Sequence, residues 1–260
     1  MSKNRQKDEY TSEHSLNVGL LSITFGRHLG ISKDDLIKLG FAGMLHDVGK
    51  MRTTDAVLNK AGKFTPEEYS HMQDHAQHGR DILMSHKNSY HGTVDVAYGH
   101  HEALDGSGYP RKIKASGISE FTRIVTLCDI YDAITSDRIY QKGRSSIEAL
   151  KILYQNKGTK FDEKLVTEFI SCIGLYPPGS VVEVKSGHVG IVISTNYRNR
   201  QLPKILILRD ANKMPQPEKV IDLESLSRSK NFDHLIKKVI PNGSHGIRIE
   251  QYIEKGLMIA

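Results

Sequence analysis

Two histidines stand side by side at His100 and His101, inside the run GHHEALDGSGYP from Gly99 to Pro110. Adjacent imidazoles are poor core material, because each carries a polar edge that needs a partner when buried. A cation held between them removes that cost. The rest of the chain supplies company for such a cation: His14, the pair His46-Asp47 in LHDVGK, His75 in DHAQHG, and Asp129 in LCDIYDA. Five histidines and two carboxylates dispersed over several helices are the raw material of a metal site in a bundle core. Neutral imidazoles bind first-row divalent ions, and carboxylates add charge and can bridge two of them. The lack of Cys argues against a structural zinc site, and the mixed N/O set favours Fe or Mn. Seven ligands exceed what one ion with an open position needs. They suit two ions sharing a carboxylate and a bridging water, which becomes hydroxide near neutral pH and attacks a phosphoester in line.

The spacing alone leaves rivals. An isolated His-Asp pair is more often a surface pair than a ligand pair. His71 and His78 compete with His75, and Asp132, one turn beyond Asp129, competes with it or stands behind it as a capping or orienting carboxylate.

These residues need helices to hold them. SLNVGLLSITFGRHLG places Leu16, Leu20, Ile23 and Leu29 at helical spacing with Gly30 as a stop. The next helix opens with Ser32 and two acids, presents Leu36, Leu39, Ala42, Gly43 and Leu45 as an apolar face, and ends at Gly49. Thr65 and Pro66 begin another, through His86. Residues 116–136 carry Ile124, Leu127, Cys128, Tyr131 and Ile134, and two short amphipathic helices follow. At LYPPGS, residues 175–180, the pattern changes to alternation: SVVEVKSGHVGIVIST reads as strand, turn and strand, and KILILRD and KVIDL as two more. The tail is ambiguous. The fold class is therefore mainly α: an all-helical bundle over residues 1–175, then a small C-terminal β module over 176–260, a partly open barrel in outline, α+β overall.

Bulk composition narrows the function classes. The 260 residues are 38% hydrophobic and 25% charged, as in an ordinary soluble globule, without an apolar run long enough for a membrane helix or a secretory signal. Cys128 and Cys172 stand far apart, which suits a reducing, cytoplasmic setting. The net charge of +6 is scattered, so no nucleic-acid polymer is expected as partner. Of 13 histidines, ten fall between His14 and His101, which sets the helical part off from the rest.

LHDVGK followed by HHEALDGSGYP resembles the HD-GYP family of the HD phosphohydrolase superfamily, named for His46-Asp47 and Gly108-Tyr109-Pro110. The similarity extends through YTSEHS, NKAGKFTPEE, HAQHG and DIYDAITSDRIY, roughly residues 8 to 172. The resemblance implies an HD-type helical bundle and a metal-dependent phosphodiesterase that hydrolyses cyclic di-GMP to pGpG or GMP. It selects His75, four residues before Gly79, and Asp129. It implies His14, His46 and Asp129 at one metal, His75, His100 and His101 at the other, and Asp47 bridging. Lys50 would hold a phosphate oxygen, and Arg138, Tyr109 and Asp105 would contact substrate. Glu102 and Asp132 would orient imidazoles from behind. Relatives with a third metal carry a Glu where this chain has Tyr10 beside Glu9, so two ions are expected. Gln141, next to Lys142, replaces a basic residue, which leaves room for 3′3′-cyclic GMP-AMP as substrate. Many relatives carry an N-terminal receiver or sensor domain, and this chain begins almost at the catalytic one, so regulation is expected from the β module, a partner or expression level. A non-catalytic cyclic-dinucleotide sensor is the reading of a different class. The Gly108-Tyr109-Pro110 loop is similar to one proposed to meet GGDEF-type diguanylate cyclases.

Overall fold

In α1 (Lys3–His28), His14, Val18, Ser22 and Phe25 are buried at intervals of four, four and three residues, and so share one face. Leu16, Leu20 and Ile23, expected on the buried side, are instead 49%, 54% and 37% exposed. Turning His14 inward fixes the rotation of the helix, and residues two, six and nine positions on then fall roughly 180–240° away. The computed structural model describes residues 3–58, 60, 62–87, 89–136, 143–196, 199–229 and 232–257, with side chains from Ser12 onward. Arg138, Gln141 and Lys142 lie outside the described residues, as do the side chains of Glu9 and Tyr10.

α2 (Lys33–Leu45) starts where Ser32 accepts a hydrogen bond from the Asp35 N–H at 3.3 Å, and buries Leu39 and Ala42. It ends at Leu45, so His46 and Asp47 emerge at its exit, and Gly49 sits inside a following 3-10 turn, Val48–Arg52, rather than ending the helix. After the single turn of α3 (Asp55–Leu58), α4 (Pro66–Ser85) opens with a full capping box between Thr65 and Glu68 and with Pro66 in its first turn. α5 (His91–Gly99) is a helix that the Gly- and β-branch-rich string HGTVDVAYG conceals; tertiary packing of Val96 and Ala97 overrides weak propensity. α6 (Glu120–Thr135) buries Ile124, Leu127, Cys128 and Tyr131 as its periodicity predicts. α7 (Ser146–Gln155) and α8 (Glu163–Ile173) complete the helical part. Phe169 of α8 is fully buried, edge-on to Phe25 at 5.0 Å and to Tyr131 at 5.4 Å, so α8 is fastened to α1 and α6 by aromatic contacts.

The chain divides into two units, Met1–Arg144 with Lys151–Cys172, and Ser145–Leu150 with Ile173–Ala260. In the second unit, β1 (Val181–Val184), β2 (Val189–Ser194), β3 (Lys204–Arg209) and β4 (Pro215–Asp222) run antiparallel, α9 (Leu223–Arg228) follows, and β5 (Ile236–Ile240) pairs with β1. The order β4-β3-β2-β1-β5 leaves β4 and β5 as edges, so the described strands form an open sheet. Leu223 and Leu226 cover one face over Val182 and Ile205. Ile247, and Ile249 and Tyr252 of α10 (Ile249–Glu254), cover the other over Val181 and Ile191. The ambiguous tail is thus an edge strand and the cap of the second face. Among the described residues, no helix is long and apolar enough to cross a membrane.

Candidate metal centre

Five elements of the helical unit deliver the chemistry-bearing side chains to one place. α1 brings His14, the exit of α2 brings His46 and Asp47, α4 brings His75, the end of α5 brings His100 and His101, and α6 brings Asp129. These seven fall into two sets whose donor atoms lie within 4.8 Å of one another: His14, His46 and Asp129, and Asp47, His75, His100 and His101. His14 Nε2 is 3.1 Å from Asp129 Oδ1, and His46 Nε2 is 3.7 Å from the same oxygen. Asp47 reaches both sets. Its Oδ2 lies 3.3 Å from His46 Nε2, and its Oδ1 lies 3.3 Å from His75 Nε2 and 3.6 Å from His100 Nε2. Of the rivals to His75, His71 bonds Thr54 and Asp74 outside the cluster, and His78 belongs to neither set. Asp132 stands behind His14, 2.7 Å from its Nδ1, rather than among the ligating atoms.

The backbone fixes which ring nitrogen faces inward. His46 Nδ1–H donates to the Gly43 carbonyl and His75 Nδ1–H to the Met72 carbonyl, each at 2.6 Å. His100 Nδ1–H donates to the Val96 and Ala97 carbonyls at 3.1 and 3.2 Å. With Nδ1 protonated, each neutral ring turns an Nε2 lone pair toward the centre. Two such lone pairs, on His75 and His100, then face each other at 3.3 Å, which is repulsive unless a cation lies between them. His46 Nε2 and Asp47 Oδ1 are buried with no hydrogen-bond partner among the described residues. Buried polar atoms left so are costly, and a divalent ion accepted by these donors satisfies them. The residues fit divalent metal.

Electrostatics differ between the sets. Burial alone would depress His14, but hydrogen bonds to Asp129 and Asp132 and the nearby charge of Asp47 outweigh it and raise its pKa to about 9. The same opposition, with Asp47 winning over burial, raises His46. In the other set, burial and the neighbouring His100 lower His75 to about 4 and push His101 well below the usual imidazole range. Burial opposes ionisation of Asp47 and Asp129, yet Lys50 and His46 around the first and His14 and His46 around the second hold both well below the carboxylate range.

The remaining side chains frame this centre. Lys50 Nζ pairs with Asp47 Oδ2. Tyr109 stacks on His101 with ring centroids 4.6 Å apart, and lies 6.3 Å from His75. Gly49 is needed because a Cβ there would meet the His75 carbonyl oxygen at 1.9 Å, so it lets the turn after Asp47 press against α4. Gly108 plays the same part in the loop, where a Cβ would strike the His101 carbonyl oxygen and the Ala103 nitrogen at 2.4 Å. Glu102 corrects the expectation that it orients an imidazole. Its fully buried carboxylate accepts the Arg111 N–H at 2.7 Å and the Ile113 N–H at 3.2 Å, tying down the loop instead. Asp105 is exposed and accepts the Ser107 N–H at 2.8 Å, which shapes the turn. Sequence reasoning missed the carbonyls that pin the imidazoles, and missed Thr126, whose hydroxyl donates to the His100 carbonyl at 2.8 Å. It also missed Tyr69, whose ring meets Tyr109 at 6.5 Å. Side-chain spacing carries no signal for a carbonyl.

Comparison with known proteins gives the family of the helical unit. Residues 3–165 match the HD domain family. The chain is 38% identical to a cyclic di-GMP phosphodiesterase of Pseudomonas aeruginosa, over 84% of this chain and 53% of that protein. It is 36% identical to 3′3′-cGAMP-specific phosphodiesterase 3 of Vibrio cholerae, over 66% of this chain and 37% of that protein. The chain thus spans about half or less of these relatives. Among solved structures it resembles an HDG"Y"P protein from Bdellovibrio bacteriovorus, with a TM-score of 0.52 and 21% identity, over 61% of this chain and 51% of that one, a likeness of fold.

Proposed function

We propose, since this chain belongs to the HD domain family, that its helical unit hydrolyses a cyclic dinucleotide with the help of two divalent ions. The observation that carries the reading is the pair of donor sets joined by one carboxylate, Asp47. His14, His46 and Asp129 would hold one ion, and His75, His100 and His101 the other, with Asp47 between them. Fe or Mn suits this mixture of imidazole and carboxylate. When bound, the ions supply a hydroxide nucleophile near neutral pH and offset charge on the phosphoryl oxygens.

The chain's own residues do the rest. Lys50, beside Asp47, is placed to take a non-bridging phosphoryl oxygen. Burial raises the Tyr109 phenol above its ordinary range, so it stays protonated and can donate a hydrogen bond to the substrate. Arg138 belongs to the same reading as a substrate contact. Cyclic di-GMP is the first substrate to test, with pGpG or GMP as product, because the Pseudomonas relative is named for it. The Vibrio relative named for 3′3′-cGAMP supports that dinucleotide as the second. Residues 1–175 would carry the chemistry and 176–260 a separate module. A cytoplasmic setting suits two free cysteines. A GGDEF-type cyclase docking at Gly108-Tyr109-Pro110 is a partner to test by pull-down with Tyr109→Ala.

The test is incubation of Fe- or Mn-loaded protein with each dinucleotide and chromatography of the products. Linear product is the expected result. No turnover at full metal occupancy overturns the enzymatic reading, and binding without turnover leaves a sensor.

A further inference from the structure

We propose that Tyr69 is a stacking platform for a purine base of the substrate; the inference rests on the cyclic-dinucleotide reading above. Tyr69 is 51% exposed, although it lies one ring away from a buried cluster. Its ring meets that of Tyr109 edge-on at 6.5 Å and 74°. Tyr109 in turn stacks on His101 and stands edge-on to His75, both members of the imidazole-rich donor set. A ladder of rings therefore leads outward from the centre, and Tyr69 is its open end.

The step length suits a nucleotide. A phosphate at the centre puts its base one sugar away, and Tyr69 is two ring contacts from the imidazoles. Half of its surface is open to solvent, and among the described residues its ring–ring contact is the T-shaped one with Tyr109. The backbone that carries it is anchored. The Tyr69 N–H donates to the Thr65 carbonyl at 2.9 Å in the first turn of α4. That turn is fixed by Pro66, by the Thr65–Glu68 capping box and by the ion pair of Glu68 with Lys60. An aromatic side chain on an anchored helix turn at a site mouth offers a base a π-face at low conformational cost, and it accepts any base. Stacking here would set affinity for the nucleoside part and leave the phosphoester chemistry to the centre.

The experiment compares wild type with Tyr69→Leu and Tyr69→Phe. The readouts are KM and kcat on cyclic di-GMP, calorimetric binding of its hydrolysis-resistant phosphorothioate analogue, metal content and thermal midpoint. For Tyr69→Leu, KM and the analogue's Kd should both rise about tenfold, within the range for loss of one base–aromatic stack. Its kcat, metal content and midpoint should stay near wild type, and Tyr69→Phe should restore binding. An unchanged KM and Kd in Tyr69→Leu, or a lowered kcat with lost metal, overturns the platform while wild-type turnover leaves the enzymatic reading standing. If wild type binds but does not cleave, the Kd values alone decide the platform. If wild type neither cleaves nor binds a cyclic dinucleotide, both readings fall.

Discussion

The two donor sets are built from similar side chains but backed by different groups. His14 leans on Asp132 and faces Asp129, so its surroundings are anionic and it attracts a proton up to about pH 9. His75, His46 and His100 lean on neutral carbonyls, but only His75 and His100 share a set crowded with imidazoles, where His75 and His101 lose their protons early. In the imidazole-rich set, His75 and His101 are therefore neutral ligands at pH 7. The set of His14, His46 and Asp129 must first expel a proton from His14. Charge behind a ligand, rather than the ligand's identity, decides how readily each set accepts an ion.

The largest expected effect comes from erasing the residue that joins the sets. Asp47→Asn should leave fewer than two ions per chain and lower cyclic-dinucleotide turnover by at least about a hundredfold, the upper end of what loss of a group behind a ligand costs. Elemental analysis that still finds two tightly held ions would show that the sets are independent. A smaller, one-sided effect is expected from Asp132→Asn. Affinity for the more weakly held ion should fall about 10–100-fold while the other stays put, the range for groups that orient a ligand from behind. Equal loss at both sites would show that Asp132 does not act through His14 alone.

Protons sharpen the same comparison. In chelator-treated protein, His14 should titrate by NMR near pH 9 and His75 near pH 4. The signs in stability are opposite. The raised pKa of His14 contributes stability that is complete below the unfolded value of about 6.5 and is lost as pH rises through about 9. The lowered pKa of His75 costs stability as pH falls from about 6.5 toward 4, because the unfolded chain binds the proton the native one refuses. Urea midpoints of the metal-free protein should therefore decline on both sides of neutrality. A midpoint flat from pH 7 to 9.5 would remove the His14 contribution. The smallest effect is expected from Glu102→Gln: about 1–3 kcal/mol of stability, with both ions retained and with KM altered more than metal content.

The residue types and spacing of the centre pointed to a metal site, but they left His71 and His78 as rivals of His75 and Asp132 as a rival of Asp129, and the family resemblance chose between them. The cap at Ser119 emerges only in the structure, but helix starts at Ser32 and Thr65 were legible, since a cap is a local interaction. The rotation of α1 was not. Leu16, Leu20 and Ile23 form as good an apolar stripe as Val18 and Phe25, and only the need to turn His14 inward selects between them. α5 was hidden because its stability comes from packing rather than propensity. Glu102 was misread because its partners, the Arg111 and Ile113 N–H groups, come close only after the loop has folded back.

His46 and Asp47 are consecutive, yet one belongs to the first donor set and the other to the second. Their Cα atoms are about 3.8 Å apart across a single trans peptide, a length that thermal motion and mutation of the surrounding core barely change. The chain thus carries its own ruler. Breathing of the helices can tilt or loosen either pocket, but the backbone anchors of His46 and Asp47 keep their covalent spacing.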